Sequence, residues 1–274
     1  MALGFVAASS QWVNSNWQPT IGLTQKWSLS CWFWWNNGAG TNGCVFGGYG
    51  GVGNQPVIEL MLEGTGSKFY LAYKDDGAAG VNWALSSLTV SKNAWHHLAF
   101  VRNITADKLD LYVDAVLYHN VADTTTQALT FGKGLGIGAR NANGVPQNLL
   151  TGAVDDLAIW WGVELTTAQI ASLYNSKRRI APRIQPGSLL RWWPLQGPNG
   201  VAASGALSVQ DCSVNLGHGT PAGSPLYALS TLSWPAPRRV IHATTTAGAP
   251  MVRRSKGIIT PASVGVPMIG GAAG

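Results

Sequence analysis

Residues 26 to 35 read KWSLSCWFWW, and the alternation within this stretch predicts a β-strand with one face in a hydrophobic core. The predicted core stripe consists of Trp27, Leu29, Cys31, Phe33 and Trp35. The opposite face carries Ser28, Ser30, Trp32 and Trp34. Tryptophan on that face can stack on a sugar ring, anchor a protein interface, or lie under another element of the same fold. Alternation alone leaves these three outcomes open.

The rest of the chain repeats this pattern in short runs separated by turn sequences. The predicted strands include PVIELML at 56 to 62, KFYLAY at 68 to 73, WHHLAFVRN at 95 to 103, LDLYVDAVLY at 109 to 118 and LLTGAVDDLAIW at 149 to 160. One segment differs, because LTTAQIASLYN, residues 165 to 175, has apolar residues at helical spacing behind a predicted N-cap, Thr166. With 34 glycines, 14 prolines and 11% charged residues, the composition also favours an all-β fold with one short helix.

The order of these motifs resembles the laminin G-like, concanavalin A-like jelly roll. In that family a Trp-His-His strand precedes a Leu-Tyr-Val-Asp-Gly hairpin, a Gly-x-Ile-Asp-Asp strand and a closing short helix. The resemblance covers residues 3 to 176 and implies a two-sheet antiparallel sandwich. This chain departs from the family at Ala115, where the family prefers glycine, so we expect a looser hairpin turn there.

A second departure concerns residues 188 to 225, where SLLRWWPLQGPNG and VQDCSVNLGHGTPAGSP resemble the segment that normally begins such a domain. Here that segment comes last, so it either closes the same sandwich or begins a second domain that is cut short. We expect closure, because an open sheet edge is a liability and the remaining chain is too short for another sandwich. The predicted organisation is a jelly roll at residues 1 to 229 and an extended, Pro/Gly/Ala-rich C-terminal arm at residues 230 to 274.

Charge is divided unevenly along the chain. Residues 1 to 176 hold eight Lys or Arg and eleven Asp or Glu, whereas residues 177 to 274 hold ten basic residues and a single acid. The basic side chains of the arm are Arg238, Arg239, Arg253, Arg254 and Lys256. We expect them to dock on an acidic protein surface. Nucleic acid is a less favoured partner, because these residues form short groups with few aromatic residues between them.

Catalytic signatures of the fold are incomplete. Glucanases commonly present their carboxylates as Glu-x-Asp-x-x-Glu on one strand. Glu59 and Glu63 lack the intervening aspartate, so we interpret them as surface carboxylates flanking a core strand. His96 and His97 are adjacent in a strand and point to opposite faces, so they cannot chelate one metal together. A Ser-His-Asp triad stays open, but no Gly-x-Ser-x-Gly elbow occurs. The sequence therefore predicts a protein that is not an enzyme.

We expect no cofactor, and calcium is the alternative, because relatives of this fold often bind it with loop carboxylates and carbonyls. The candidate ligands are Asp75 and Asp76 in KDDG and Asp155 and Asp156 in VDDL. A turn is the favoured interpretation of the first pair, and an architectural role is favoured for the second.

The leading hypothesis for function is a structural protein of a large assembly, such as a bacteriophage capsid decoration protein anchored through its arm. Its basis is the separate basic arm and the familiarity of jelly-roll modules on virions. The alternative is a lectin-like module that binds a cell-surface glycan. For either role, the candidate contact residues are Trp32, Trp34, Trp160 and Trp161.

The expected location follows from the hypothesis, namely the virion surface, with the extracellular space or the cell surface as the alternative. The N-terminal stretch MALGFVAASSQW has no basic region and too short an apolar run for a secretory signal. Nowhere do 18 apolar residues run together, so we expect no membrane partner.

Overall fold

The computed structural model of the chain describes residues 2–50, 56–176, 180–197, 200–205 and 208–228. Within these ranges lie two large sheets, a two-stranded ribbon and one α-helix, α1, Thr167–Ser176. No helix in the described part of the chain is long and apolar enough to cross a membrane.

The first ten strands in chain order are β1 Ala2–Phe5, β2 Trp12–Asn14, β3 Thr20–Ile21, β4 Trp27–Trp35, β5 Gly43–Tyr49, β6 Val57–Leu62, β7 Lys68–Lys74, β8 Gly80–Thr89, β9 Trp95–Asn103 and β10 Lys108–Val113. The later strands are β11 Val116–Ala122, β12 Leu129–Thr130, β13 Gly136–Ile137, β14 Arg140–Ala142, β15 Val145–Gln147, β16 Gly152–Trp161, β17 Leu189–Trp193, β18 Thr220–Ala222 and β19 Leu226–Ala228.

Sheet A has the strand order β11-β10-β9-β4-β16-β1-β19. Its strand β4 is the alternating stretch that predicts the fold, and it pairs antiparallel with β9 on one side and β16 on the other. The predicted core stripe of β4 is confirmed, because all five of its side chains are fully buried. Burial of each large apolar side chain contributes about 1.5–3 kcal/mol to folding.

Sheet B has the order β18-β2-β13-β5-β6-β7-β8, and the short hairpin β14–β15 adds to β5 through a parallel pairing. The two sheets face each other across one hydrophobic core. Its members include Leu29, Phe33 and Phe100 from sheet A and Phe46, Leu60 and Leu71 from sheet B. The predicted antiparallel two-sheet sandwich with one short helix is therefore confirmed.

The last strands of the described chain close this same sandwich. β16 pairs with β1 along its first half and with β17 along its second half. The change of partner falls at a bulge containing Asp156, whose φ is 51° and whose carboxylate accepts a 2.6 Å hydrogen bond from Trp192 Nε1. β18 pairs with β2 and β19 pairs with β1, so the C-terminal strands join both sheets. The predicted arm, residues 230 to 274, lies outside the described residues.

The hairpin between β10 and β11 differs from its expected form. Val113 and Val116 pair directly, which leaves only Asp114 and Ala115 in the turn. Both turn residues have positive φ, 51° and 63°, as in the tight two-residue turns that suit strand twist. The expectation of a looser turn at Ala115 is wrong, because the alanine adopts the left-handed conformation that glycine would adopt.

Helix α1 covers part of the outer face of sheet A, the face turned away from the core. Its start is fixed by a reciprocal cap, in which Thr166 Oγ1 accepts from the Gln169 backbone N–H and Gln169 Oε1 accepts from the Thr166 backbone N–H. Ile170 and Leu173 then pack on the sheet in a second apolar cluster. The helix therefore decides which outer-face side chains are hidden.

Candidate functional site

Two of the four candidate tryptophans lie beneath the layer formed by α1 and the segment after it. Trp32 is 3% exposed and its ring stacks on Tyr174 of α1, with 5.8 Å between centroids. Trp160 is fully buried, and its Nε1 donates to the Ile184 carbonyl oxygen at 2.6 Å. Neither side chain is available to a glycan or a protein partner, so their prediction as contact residues is corrected.

The third candidate, Trp161, belongs to the inner side of the sheet. It pairs with the core residue Trp27 across β4, and its ring meets Trp17 edge to face at 6.0 Å. This half-buried indole packs against the main core. It therefore does not share a surface with the outer-face residues of β4.

Trp34, the fourth candidate, lies on the outer face of β4 and is half-buried. Its direct neighbour on β9 is Trp95, which is also half-buried. Directly opposed residues of an antiparallel pair point to the same face with Cβ atoms about 4.5–5.5 Å apart. Trp34 and Trp95 therefore form a partly exposed aromatic pair, here named the tryptophan shelf.

The shelf is one end of a row that crosses sheet A at a single level. Trp34 is opposite Ala153 on β16, Ala153 is opposite Gly4 on β1, and Gly4 is opposite Leu226 on β19. Leu226 is 46% exposed. Trp95, Trp34, Ala153, Gly4 and Leu226 are named the outer row. Two large indoles stand at one end, two small residues lie in the middle, and an exposed leucine stands at the other end.

Sequence reasoning missed four of the five residues in the outer row. Alternation within WHHLAFVRN was enough to place Trp95 on the same face as His97. No local signal places Ala153, Gly4 and Leu226 beside Trp34, because strand register between distant segments is set by the folded sheet.

His97 lies between the shelf and α1. It is 1% exposed, its Nε2 is 2.8 Å from Ser30 Oγ, and its ring meets those of Trp32 and Tyr174. Its Nδ1 has no hydrogen-bond partner in the described part of the chain. Burial lowers the pKa of His97 from 6.5 to about 4, a shift that the negative charge of Asp114 partly opposes. The imidazole is therefore neutral at pH 7.

Ser91, His96 and Asp114 have the hydrogen-bond order of a catalytic triad. His96 Nε2 is 2.9 Å from Ser91 Oγ, and His96 Nδ1 is 2.7 Å from Asp114 Oδ2. The Ser91 carbonyl oxygen also lies 3.1 Å from the same Nε2, so the hydroxyl and the carbonyl oxygen of Ser91 both approach this nitrogen. Asp114 Oδ1 accepts the His97 backbone N–H at 2.8 Å. These contacts tie the β10–β11 turn to the start of β9.

The outer face of sheet B holds a buried ion pair. Glu59 is fully buried, and its Oε1 lies 3.1 Å from Arg140 Nη1 on the β14–β15 hairpin. The guanidinium is 4.7 Å from the centre of the Tyr49 ring, and Gln147 Oε1 accepts from its Nη2. Burial raises the pKa of Glu59, while Arg140 and Asn148 oppose the shift. The interpretation of Glu59 as a surface carboxylate is wrong, because the hairpin covers it.

Glu63 takes a separate role at a turn. It is half-buried, and its Oε2 accepts the backbone N–H of Gly66 at 2.9 Å. Glu59 and Glu63 therefore have different partners.

The four calcium candidates lie in two separate places. Asp75 follows β7 of sheet B and accepts backbone N–H groups of Gly77, Ala79, Thr126 and Gln127. Burial works to raise its pKa, but these four donors outweigh it and hold the pKa below its usual range.

The other candidates also have protein partners. Asp76 accepts the Thr130 backbone N–H at 2.9 Å, and Asp155 and Asp156 lie in β16 of sheet A. Across the described ranges, no group of three or more His, Cys, Asp or Glu side chains is placed to hold a metal ion. The arm candidates Arg238, Arg239, Arg253, Arg254 and Lys256 lie outside the described residues.

Comparison with known proteins gives a family and a set of similar folds. The family model of the concanavalin A-like lectin/glucanases superfamily matches residues 8–171. No curated protein matches the chain.

Among solved structures, a Bacteroides ovatus protein provisionally assigned as carbohydrate-binding has a TM-score of 0.55 at 14% identity. The alignment covers 83% of this chain and 61% of that one, so the chain spans less than two thirds of that protein's length. The CBM40 of a Ruminococcus gnavus IT-sialidase, bound to α2,3-sialyllactose, has a TM-score of 0.47 at 11% identity, covering 55% of this chain and 83% of that one. A heptameric SAP-like pentraxin from Limulus polyphemus has a TM-score of 0.42 at 14% identity, covering 56% and 72%. The first of these likenesses shows a shared fold.

Proposed function

We propose that this chain, which belongs to the concanavalin A-like lectin/glucanase superfamily, is a non-enzymatic carbohydrate-binding protein whose glycan stacks on the tryptophan shelf. The observation that carries the proposal is the side-by-side, partly exposed placement of Trp34 and Trp95. An indole presents a flat apolar surface with a polar N–H, and it suits the C–H face of a pyranose ring and a nearby hydroxyl.

The shelf has the rigidity that such a site needs. Trp34 and Trp95 lie on neighbouring strands in the interior of sheet A, and the adjacent Trp32 is fixed under Tyr174. Side chains held by regular strands lose little entropy when a ligand binds, so more of the contact energy appears as affinity. The fold likeness to a protein provisionally assigned as carbohydrate-binding is the reason to test glycans first.

The test is a glycan array with the intact protein, followed by titration of the best ligand against Trp34→Ala. We expect the variant to keep its fold, because the side chain lies on the outer face, and to lose at least about tenfold in affinity. Tyr70→Ala is the matched control, since Tyr70 is a half-buried aromatic residue in β7 of sheet B. Equal loss in the control, unchanged affinity of Trp34→Ala, or no bound glycan would contradict the proposal.

A second candidate role is that of a structural component of a large assembly, such as a bacteriophage particle, at whose surface the glycan site would then be displayed. The observation that favours it is the charge division, with ten basic residues and one acid in residues 177 to 274. A chain lacking residues 236 to 274 should lose occupancy on the particle and retain glycan affinity. Full occupancy without the arm would contradict this role.

A further inference from the structure

The geometry points to a more specific ligand, an inference that rests on the proposed function: an internal stretch of a neutral, linear polysaccharide with equatorial linkages, lying across the strands along the outer row. The basis is the continuation of the tryptophan shelf across three further strands to Leu226.

The length of the outer row exceeds that of one sugar. Neighbouring strands are separated by about 4.8 Å, so the four spacings from β9 to β19 extend over about 19 Å. A single pyranose ring is comparable in width to one spacing. A ligand that contacts both Trp95 and Leu226 must therefore contain several linked rings.

The side chains of the outer row project from the sheet to different extents, in a pattern that suits a flat polysaccharide. Ala153 is buried, at 7% exposure, and ends in a methyl group, and Gly4 has no side chain, so neither residue has a side chain long enough to project from the middle of the row. The indoles rise at one end and Leu226, at 46% exposure, rises at the other. Sugars with equatorial linkages and hydroxyls form ribbons with apolar C–H faces, which can lie on such a surface without steric conflict.

The chemistry of the outer row favours a ligand without charge. All five of its residues are uncharged: Trp95, Trp34, Ala153, Gly4 and Leu226. A carboxylate or sulfate placed against these side chains would lose hydration without gaining a partner, which is costly.

The residues on the two sides of the outer row determine the direction in which the polysaccharide lies. On one side of the outer row, the next outer-face residues along β4 and β1 are covered: Trp32 lies beneath Tyr174, and Ala2 is fully buried. On the other flank Asn36 is exposed and Thr151 is half-buried, and both can hydrogen bond to sugar hydroxyls. A polysaccharide that ran parallel to the strands would collide with helix α1, whereas one that ran across the strands along the outer row would not.

The experiment is calorimetric titration of the intact protein with glucose, cellobiose, cellotriose and cellohexaose, the β-1,4-linked neutral series with equatorial hydroxyls. We expect affinity to rise at least 100-fold from glucose to cellohexaose. Leu226→Ala should weaken cellohexaose binding about fivefold and leave cellobiose binding unchanged. Leu216→Ala is the control, because Leu216 is 64% exposed on a loop outside the outer row.

The outcomes separate this inference from the proposed function. If the array finds a ligand that needs Trp34 while cellohexaose binds no better than glucose or does not bind, the inference is overturned and the proposed function stands. If affinity rises with oligosaccharide length but Leu226→Ala binds cellohexaose as the wild type does, the inference that the polysaccharide lies along the outer row as far as Leu226 is overturned. If no array glycan binds, the proposed function is overturned, and this inference is overturned with it.

Discussion

At the scale of single residues, His97 couples the outer face of sheet A to pH. Its imidazole is enclosed by Ser30, Trp32 and Tyr174, with one ring nitrogen left without a partner among the described residues. A proton on this ring would place a charge in a site that offers it little compensation. The folded state therefore binds that proton more weakly than the unfolded chain does.

The sign of the resulting pH dependence follows from the lowered pKa. The stability contributed by neutral His97 is complete above pH 6.5 and is lost as the pH falls from 6.5 to about 4. A shift of this size corresponds to about 3 kcal/mol of unfolding free energy. Urea unfolding at a series of pH values should show this loss in the wild type and a flatter profile in His97→Gln.

The matched control is His96→Gln, the adjacent histidine on the opposite face of β9, which should keep the steep profile. Parallel profiles for wild type and His97→Gln between pH 6.5 and 4 would show that the burial of this ring does not govern the acid response.

Residue-scale prediction from sequence succeeds where local geometry decides. The alternation of KWSLSCWFWW assigns Trp34 to the outer face, because the pleat of a strand is a local property. Whether an outer-face tryptophan is covered depends on where α1 ends, which alternation does not encode. Trp32 lies under Tyr174 and Trp34 is partly exposed, although both occupy the same face of β4.

At the scale of elements, the β10–β11 hairpin carries a local strain. Ala115 has a φ of 63°, a conformation that costs a residue with a Cβ atom about 1 kcal/mol relative to glycine. Ala115→Gly should therefore raise the unfolding free energy by about 0.5–1 kcal/mol, with thermal unfolding as the measurement.

Ala122→Gly serves as the control for that substitution. Ala122 is exposed at the end of β11, where glycine adds only flexibility, so this variant should be neutral or less stable. A gain in the control equal to that of Ala115→Gly would remove the conformational explanation.

The predictability of the elements follows the same division between local and distant contacts. The helix cap at Thr166 and the core stripe of β4 depend on nearby residues and were predictable. The burial of Glu59 depends on Arg140, 81 residues later in the chain, which a hairpin brings over β6. No pattern around IELMLEG reports that partner, so the sequence alone predicts a surface carboxylate.

At the scale of the whole molecule, the sandwich is completed by strands that come after the helix. Trp193 is fully buried in the main core, and Leu195 and Tyr227 are nearly so. β17 and β19 also supply the hydrogen-bond partners of β16 and β1. The segment that resembles the start of such a domain thus acts here as its end.

Truncation tests this dependence. A chain that ends at Ser176 lacks β17, β18 and β19, so we expect it to lose the near-ultraviolet circular dichroism of the native core. A chain that ends at Pro237 keeps β17, β18 and β19 and should unfold at the wild-type temperature. Native-like melting of the shorter chain would show that the closing strands are dispensable.

The most direct test of the central claim is a nuclear magnetic resonance titration of the indole N–H signals with the best array glycan. Assignment comes from Trp34→Phe and Trp95→Phe. We predict shifts of the Trp34 and Trp95 signals and no shift for Trp27 and Trp193, which are fully buried in the core. Ligand-induced shifts that leave Trp34 and Trp95 unmoved would contradict a glycan site on the tryptophan shelf.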